Sequence, residues 1–397
     1  MQVSGFAARI TPSATMAAGA KAKEMRSKGA TVYDFAQGEP DFVTPRHICA
    51  AAEQAMRDGH THYTPSSGLP ELKAAVCRYH KRMHGLDYRP ANVCVSNGAK
   101  HTLYTALLAT LNSGDEVVIP TPYWVSYSEL VKMVGATPVL VETDAASRFL
   151  LSPSRLSEVC TPRTRMLLLN SPGNPTGSAY SESQLRALAE VVLERDLIVL
   201  SDEIYERLIY TSAPFTAFAS LGEDVFQRTL TVNGVSKTYA MTGWRIGWTC
   251  GPPEVVKAMD DIQSQQTSNP CSVSQYAAIA ALDGGQDCVE EMKREFAKRR
   301  DRVCERLNRI PGVSIDPPDG AFYAFFDVRS FFGKKFGGKT VADSQSFCLT
   351  LLEQAGVNLV QGSAFGAEGF VRMSFATSME TIEAGLDALE NWLTSGR

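Results

Sequence analysis

The chain has 397 residues, 44% hydrophobic and 21% charged, with a formal net charge of -4. That length exceeds what one compact core usually holds, so two domains are expected. The balance is that of a globular protein without the basic excess that would pull phosphate backbones, and nucleic acid is not expected as a partner.

Met1 to Ile10 lacks a basic stretch followed by an apolar core, so no signal or transit peptide is expected. No run approaches the roughly 18–20 apolar residues of a membrane span. The nine cysteines are scattered and form no C-x-x-C pair. They read as reduced, buried core thiols of a cytoplasmic protein.

In chain order, Val93–Ser96, Glu116–Ile119, Pro138–Val141, Met166–Asn170, Ile198–Asp202 and Leu230–Asn233 read as buried strands. Ser96-Asn97-Gly98-Ala99-Lys100 opens a helix with Leu103, Leu107 and Leu111 on one face. Between Asn170 and Ile198, Ser181 and Gln184 form a possible capping box ahead of Leu185, Leu188, Ala189 and Val192. Such alternation predicts an α/β fold with a mostly parallel sheet. The last third differs. A charged helix spans about Met292 to Leu307, and its Lys298-Arg299-Arg300 run reads as a solvated face. Strand-like Ala321–Phe326, a helix near Ser344–Gln354, strand Val357–Val360 and a closing helix with Ile382, Leu386, Leu389 and Leu393 follow. These predict a second, smaller α+β domain.

Ligands of α/β sheets sit beyond the carboxyl ends of the strands, so chemistry is sought there. The turn before Ala99 and Lys100 offers free N–H groups and a positive dipole end to a phosphate, although many such turns bind nothing. Asn170-Ser171-Pro172-Gly173-Asn174-Pro175-Thr176-Gly177 is a rigid loop, or a plain turn, that leaves the Asn174 amide able to donate. Asp202 ends an apolar run, and a buried carboxylate needs a cationic partner, a pyridinium nitrogen or an arginine. Lys237 follows another buried strand, where lysine is seldom left unpaired. Desolvation and nearby cations would make its amine neutral and nucleophilic, and Ser236 and Arg245 beside it suit a phosphate. From these residues alone, a surface lysine and a catalytic one are about equally favoured.

Together, Ser-Pro-Gly-Asn-Pro-Thr-Gly, Ser-Asp-Glu-Ile-Tyr and Ser-Lys-Thr-Tyr-Ala-Met-Thr-Gly-Trp-Arg-Ile-Gly resemble the class I/II aminotransferases of pyridoxal-phosphate fold type I. The resemblance runs from Pro12-Ser13-Ala14-Thr15 and Gly38-Glu39-Pro40-Asp41-Phe42 to Phe370-Val371-Arg372-Met373-Ser374. It implies a large pyridoxal 5′-phosphate domain over 47–290 and a small domain made of 1–46 and 291–397. It also implies that Lys237 carries the cofactor as a Schiff base and moves the substrate's α-proton. Asp202 would pair with the ring nitrogen, Asn174 and Tyr205 with the ring oxygen, and Trp124 would lie on the ring face. Ala99, Lys100, Ser236 and Arg245 would hold the phosphate, joined by Tyr63 from a second subunit. Arg372 would grip the α-carboxylate, with Gly38 closing over the substrate. Shared sites of this kind imply a homodimer.

Pro12–Thr15, Asn97–Lys100 and Pro122–Tyr127 resemble the bacterial and plant aspartate/prephenate branch most closely. In that branch Lys100, Thr15 and Ser13 would meet a distal carboxylate. The expected reaction is L-aspartate with 2-oxoglutarate, with prephenate as a second acceptor. Gln361 departs from the proline usual in relatives, which questions the loop before Arg372.

Other readings are weighed against this one. Alanine or aromatic transamination, or a carbon–sulfur lyase, would keep the fold. A pyridoxal-phosphate sensor would need a DNA-binding module ahead of Pro12. Gly333–Thr340 matches a Walker-A pattern, but the preceding strand ends too early, and Thr340 is expected to begin the next helix. His80 and His84 could face a metal, yet they lack a third ligand cluster, and a solvated amphipathic helix is expected.

Overall fold

The computed structural model describes residues 1–5, 7–12 and 14–395. Its strands in chain order are β1 (Tyr33–Asp34), β2 (Val93–Ser96), β3 (Glu116–Thr121), β4 (Thr137–Glu142), β5 (Thr164–Asn170), β6 (Ile198–Asp202) and β7 (Thr229–Gly234). There follow β8 (Gly247–Cys250), β9 (Tyr323–Asp327), β10 (Lys335–Phe336), β11 (Lys339–Thr340), β12 (Val357–Asn358), β13 (Val360–Gln361) and β14 (Phe370–Ser374).

Seven strands form the main sheet in the order β2-β8-β7-β6-β5-β3-β4. β3 to β7 run parallel, whereas β8 is antiparallel to both β7 and β2. The six expected strands are all present. β8 was not foreseen, because its four residues follow a motif that reads as loop up to Gly247. β4 is the sheet edge, with Thr137, Leu140 and Glu142 exposed, so it is not the buried strand its apolar run suggested. Pro138 is tolerated there because an edge strand can leave one N–H side unpaired.

Helices cover the sheet. Ala99–Thr110 buries Leu103 and Leu107. Glu182–Glu194 starts from the Ser181/Gln184 capping box and buries Leu185, Leu188, Ala189 and Val192.

The remaining elements gather around the antiparallel sheet β13-β14-β9. The N-terminal segment joins them through β1, which pairs in parallel with β12. Phe35 shares one core with Phe296, Phe326, Phe347, Leu386 and Leu389. Helix Met379–Ser395 can approach Phe35 because Gly385 stands where any Cβ would strike that ring. The Val357–Val360 strand is broken at Leu359 into β12 and β13, which serve different partners.

Four local expectations change. The charged helix runs from Asp287 to Arg309, and Arg299 within it is buried, not solvated. Its guanidinium pairs with Asp41 at 2.7 Å and lies 5.1 Å from the Phe42 ring centre, fastening the N-terminal segment. His80 and His84, on helix Pro70–His84, are also internal. His80 accepts from the Trp248 indole at 3.0 Å, and His84 pairs with the buried Glu206. No metal-competent cluster of three or more His, Cys, Asp or Glu occurs among the described residues.

The Walker-like segment is the β10–β11 hairpin, with Lys339 paired to Glu353 at 2.6 Å. Thr340 ends it, and the next helix begins at Ser344 behind the Asp343 cap. Of the cysteines, Cys94, Cys250, Cys304 and Cys348 are buried and Cys271 is exposed, so buried thiols account for only part of the set. No helix among the described residues is long and apolar enough to cross a membrane.

Candidate active site

The carboxyl ends of β2, β3, β5, β6 and β7 converge on a cavity of about 260 Å³. β14 closes it from the smaller sheet, and Thr15, Met16 and Gly38 close it from the N-terminal segment.

Asp202 ends β6 and is buried. Its carboxylate accepts the Tyr127 hydroxyl at 2.8 Å and the Ile204 N–H at 3.2 Å. Burial outweighs both bonds and pushes the group up to about 6. At about 6 the acid remains mostly ionised at neutral pH, helped by the nearby Lys237 amine.

Lys237 follows β7 and turns its amine into the cavity, where it donates to the Gly38 carbonyl at 2.5 Å. Burial pushes the amine down to about 8. Arg245 and Arg372 act in the same direction, and Glu39 and Asp202 act against it. A substantial neutral fraction near pH 8 makes it a usable nucleophile and base.

A cationic cradle lies beside it. Gly98, at φ 88°, precedes helix Ala99–Thr110, and a Cβ there would enter the Arg245 guanidinium. Gly247 likewise leaves room for the Ala99 backbone. Two glycines therefore let Arg245 sit against a helix start, which is where an anion is favoured. Arg245 itself is left-handed at φ 56° and donates to the Thr242 carbonyl at 2.9 Å. Ser236, Ala99 and Lys100 line the same end. The Lys100 ammonium lies 4.8 Å from the Trp124 ring centre, a cation–π contact, and burial and Arg245 lower its pKa.

Arg372 is 1% exposed. It donates to Asn174 Oδ1 at 3.0 Å and to the Ala36 carbonyl at 2.7 Å, and its guanidinium lies 4.4 Å from the Tyr323 ring centre. Its Nε has no partner, and its two other nitrogens bond an amide and a carbonyl oxygen, not a carboxylate, among the described residues. Burial lowers its pKa, yet a guanidinium stays charged. A buried cation without a counter-ion is a receptor for a carboxylate. Tyr205 shares a 2.9 Å hydroxyl contact with Tyr323.

Lys237, Asp202, Asn174, Tyr205, Trp124, Ala99, Lys100, Ser236, Arg245, Arg372, Gly38 and Thr15 thus line one cavity. Tyr63 does not line the cavity of its own chain and is 90% exposed. Ser13 lies outside the described residues. Tyr127, Tyr323, Thr242 and Met16 line the cavity without having been singled out. Tyr127 closes the Pro122–Tyr127 motif, and that position was its only signal. Tyr323 looked like one more residue of an apolar strand. Gln361 raises no difficulty, since it holds φ -61° and ψ 140°, a conformation proline would adopt, and pairs in register with Val371.

Residues 30–389 match the family model described as aminotransferase class I and II. The chain belongs to this family. An aspartate aminotransferase of Geobacillus stearothermophilus is 46% identical over 99% of each chain. An aspartate/prephenate aminotransferase of Cereibacter sphaeroides is 47% identical over 94% of each. Among solved structures, the aspartate aminotransferase of Rhizobium meliloti superposes with a TM-score of 0.97 at 44% identity, covering 100% of both chains. That of Thermus thermophilus with maleate gives 0.93 at 39% identity, covering 98% of this chain and 99% of its own.

Class I/II aminotransferases use pyridoxal 5′-phosphate. The donors present fit it chemically. There is an amine for its aldehyde, a buried acid for its ring nitrogen, and a cation-rich helix start for its phosphate monoester.

Proposed function

We propose that this aminotransferase exchanges the amino group of L-aspartate with 2-oxoglutarate, giving oxaloacetate and L-glutamate, and takes prephenate as a second amino acceptor. One observation carries the reading. The buried Arg372, without a carboxylate partner, opens on the cavity that holds the Lys237 amine and the Asp202 acid. Lys100, at the start of helix Ala99–Thr110, supplies a second cation lining the same cavity. Two cations beside one amine suit a substrate with two carboxylates.

When bound, pyridoxal phosphate supplies the aldehyde that takes up the amino group and a ring that withdraws electrons from the α-carbon. Asp202 would keep a proton on the ring nitrogen, and the Tyr127 hydroxyl fixes the angle of that acid. Asn174 and Tyr205 would bond the ring oxygen, and Trp124 would cover the ring face. Ala99, Lys100, Ser236 and Arg245 hold the phosphate. Arg372 binds the α-carboxylate as a fork, a geometry lysine cannot offer. Lys100, Thr15 and Ser13 bind the distal carboxylate. Lys237 would hold the cofactor through its amine and serve as the base for the α-proton, while the Gly38 backbone would exclude water above it.

In this reading the chain is a cytoplasmic homodimer in which Tyr63 of each subunit completes the phosphate site of the other. Residues 47–290 form the large domain, and 1–46 with 291–397 form the small one that closes on substrate. The dicarboxylate preference is supported by the names of the relatives and by the maleate in the Thermus structure.

The test is a half-reaction screen. The protein loaded with pyridoxal phosphate is mixed with single amino acids, and the decay of its visible band is followed. Aspartate and glutamate should react fastest, and steady-state turnover should need an oxo acid. A faster reaction with alanine or tyrosine, or release of ammonia without an oxo acid, would overturn the assignment.

A further inference from the structure

The segment Gly38–Thr44 is stitched over the turn that carries Lys237. Gly38 accepts the Lys237 amine at 2.5 Å. The next residue, Glu39, accepts the Thr242 hydroxyl at 2.7 Å. Thr44 donates to the Ala240 carbonyl at 2.8 Å and accepts the Trp244 indole at 2.9 Å. Asp41 and Phe42 are held from the other side by Arg299. The turn beneath is itself constrained, with Ala240 at φ 50° and Arg245 at φ 56°, both left-handed without being glycine.

Three of these stitches fix the strap at a distance from the amine. The Glu39–Thr242 bond is the one adjacent to the contact that holds it. Glu39 is exposed and lies outside the set that would touch cofactor or substrate. We propose that Glu39 is a positioning residue, which through Thr242 keeps the Gly38 carbonyl on the Lys237 amine and thereby restrains that amine from capturing an aldehyde. The inference rests on the cavity being a pyridoxal-phosphate site.

Capture requires the ammonium to lose a proton to solvent. The neutral amine nitrogen then adds to the aldehyde carbon, and the carbonyl oxygen leaves as water with the two remaining amine protons. Deprotonation and attack are opposed by a bond that ties up the nitrogen and by a negative charge that favours its cation. The groups that face this amine are Glu39 on the strap, Asp202 at the tip of β6, Arg245 on the turn, Arg372 on β14 and Lys100 at the helix start. Tyr127, Tyr205 and Tyr323 complete the wall, all buried with their ionisation pushed up by that burial. Asp202 and Glu39 are thus the carboxylates facing the amine among the described residues, and Glu39 is the one the proposed chemistry leaves without a task.

The experiment follows capture of free pyridoxal phosphate by the full-length, cofactor-stripped protein, read as growth of the bound visible band from about pH 6 to pH 9. E39A, which removes both the acceptor of the Thr242 hydroxyl and the charge, should capture faster near neutrality by about two- to fivefold, the scale of one exposed charge. Its pH midpoint should lie below that of the parent, because removing a negative charge disfavours the cation. T242V should also capture faster, and T242S, which restores the hydroxyl, should return the parent rate. Parent-like or slower capture by E39A or T242V, or failure of T242S to restore the rate, overturns the proposal. If the parent chain develops no band, the cofactor reading falls first and this inference falls with it.

Discussion

Asp202 shows what a single buried carboxylate costs before its partner arrives. The free acid is pushed up to about 6 by burial, although Tyr127 and the Ile204 N–H both bond it. Because the folded value lies above the ordinary one, the folded state binds the extra proton. The associated stability is complete below about pH 4 and is lost as pH rises through 6. Asp202→Asn removes that penalty and can still accept the Tyr127 hydroxyl. Melting of the cofactor-stripped protein at pH 8 should therefore show the variant more stable than the parent by up to about 3 kcal/mol, with the gain vanishing near pH 4. The same variant should lose transamination by at least about a hundredfold, since an amide cannot keep the ring nitrogen protonated. Equal stability at both pH values would mean that the carboxylate is solvated in the folded protein. At this scale Lys237 and Asp202 were legible, because a charged residue at the end of a buried run demands an explanation, whereas Arg372, in the middle of β14, was legible only through the family resemblance. Tyr127 and Tyr323 were not. An aromatic residue is unremarked in any apolar element, and only the fold turns these two hydroxyls toward Asp202 and Tyr205.

Elements place these residues, and two junctions can be tested. The first is the start of helix Ala99–Thr110. Gly98→Ala would force a side chain into a glycine-only conformation and against Arg245. The backbone cost is about 1–3 kcal/mol. Equilibrium titration should show pyridoxal-phosphate affinity falling by more than about tenfold, beyond any loss of melting temperature. The second junction joins helix Pro70–His84 to the tip of β6. Glu206 there bonds Tyr79, His84 and Asn233. Burial raises its pKa, but His84, His80 and Tyr79 outweigh this and hold it at about 2. His84 is itself raised by Glu206 against its own burial. The pair stabilises the fold above the unfolded carboxylate range and below the unfolded histidine range. It is lost as pH falls through 2 or rises through the raised histidine value. Glu206→Gln should thus cost about 3–5 kcal/mol between about pH 4.5 and 6.5, and less at pH 9, in denaturant titrations. A cost independent of pH would assign Glu206 a neutral hydrogen-bonding role. The sequence did contain a signal for this junction. His80 falls on the stripe of Leu72, Ala75, Val76 and Tyr79, so its spacing marked it as internal. Edge and split strands carried no comparable signal, since the exposure of β4 and the break at Leu359 depend on which neighbour each strand meets.

At the scale of the molecule, the alternation of strands and helices announced the parallel sheet, and the change of pattern after about residue 290 announced the second assembly. What no local pattern could announce is that residues 33–42 are joined to the far end of the chain. That join is made by β1 pairing with β12, by Phe35 within the C-terminal core, and by Arg299 on Asp41. The proposed dimer makes a similar long-range claim, now between chains, and Tyr63 tests it. This residue is 90% exposed and does not line its own cavity, so a phosphate-binding role requires a second subunit. Tyr63→Phe should weaken pyridoxal-phosphate affinity by about tenfold, the value of about one hydrogen bond to a charged group. Lys237→Ala chains cannot carry the cofactor covalently, yet they retain Tyr63. In a mixed dimer the intact Tyr63 of the Lys237→Ala chain would face the intact Lys237 of the Tyr63→Phe chain, while the opposite site would carry both defects. Mixing and refolding the two variants should therefore restore a fraction of sites with parental affinity. Refolding either variant alone should restore none. If the mixture shows only the sum of the two separate variants, Tyr63 does not act across an interface, and the site is completed within one chain.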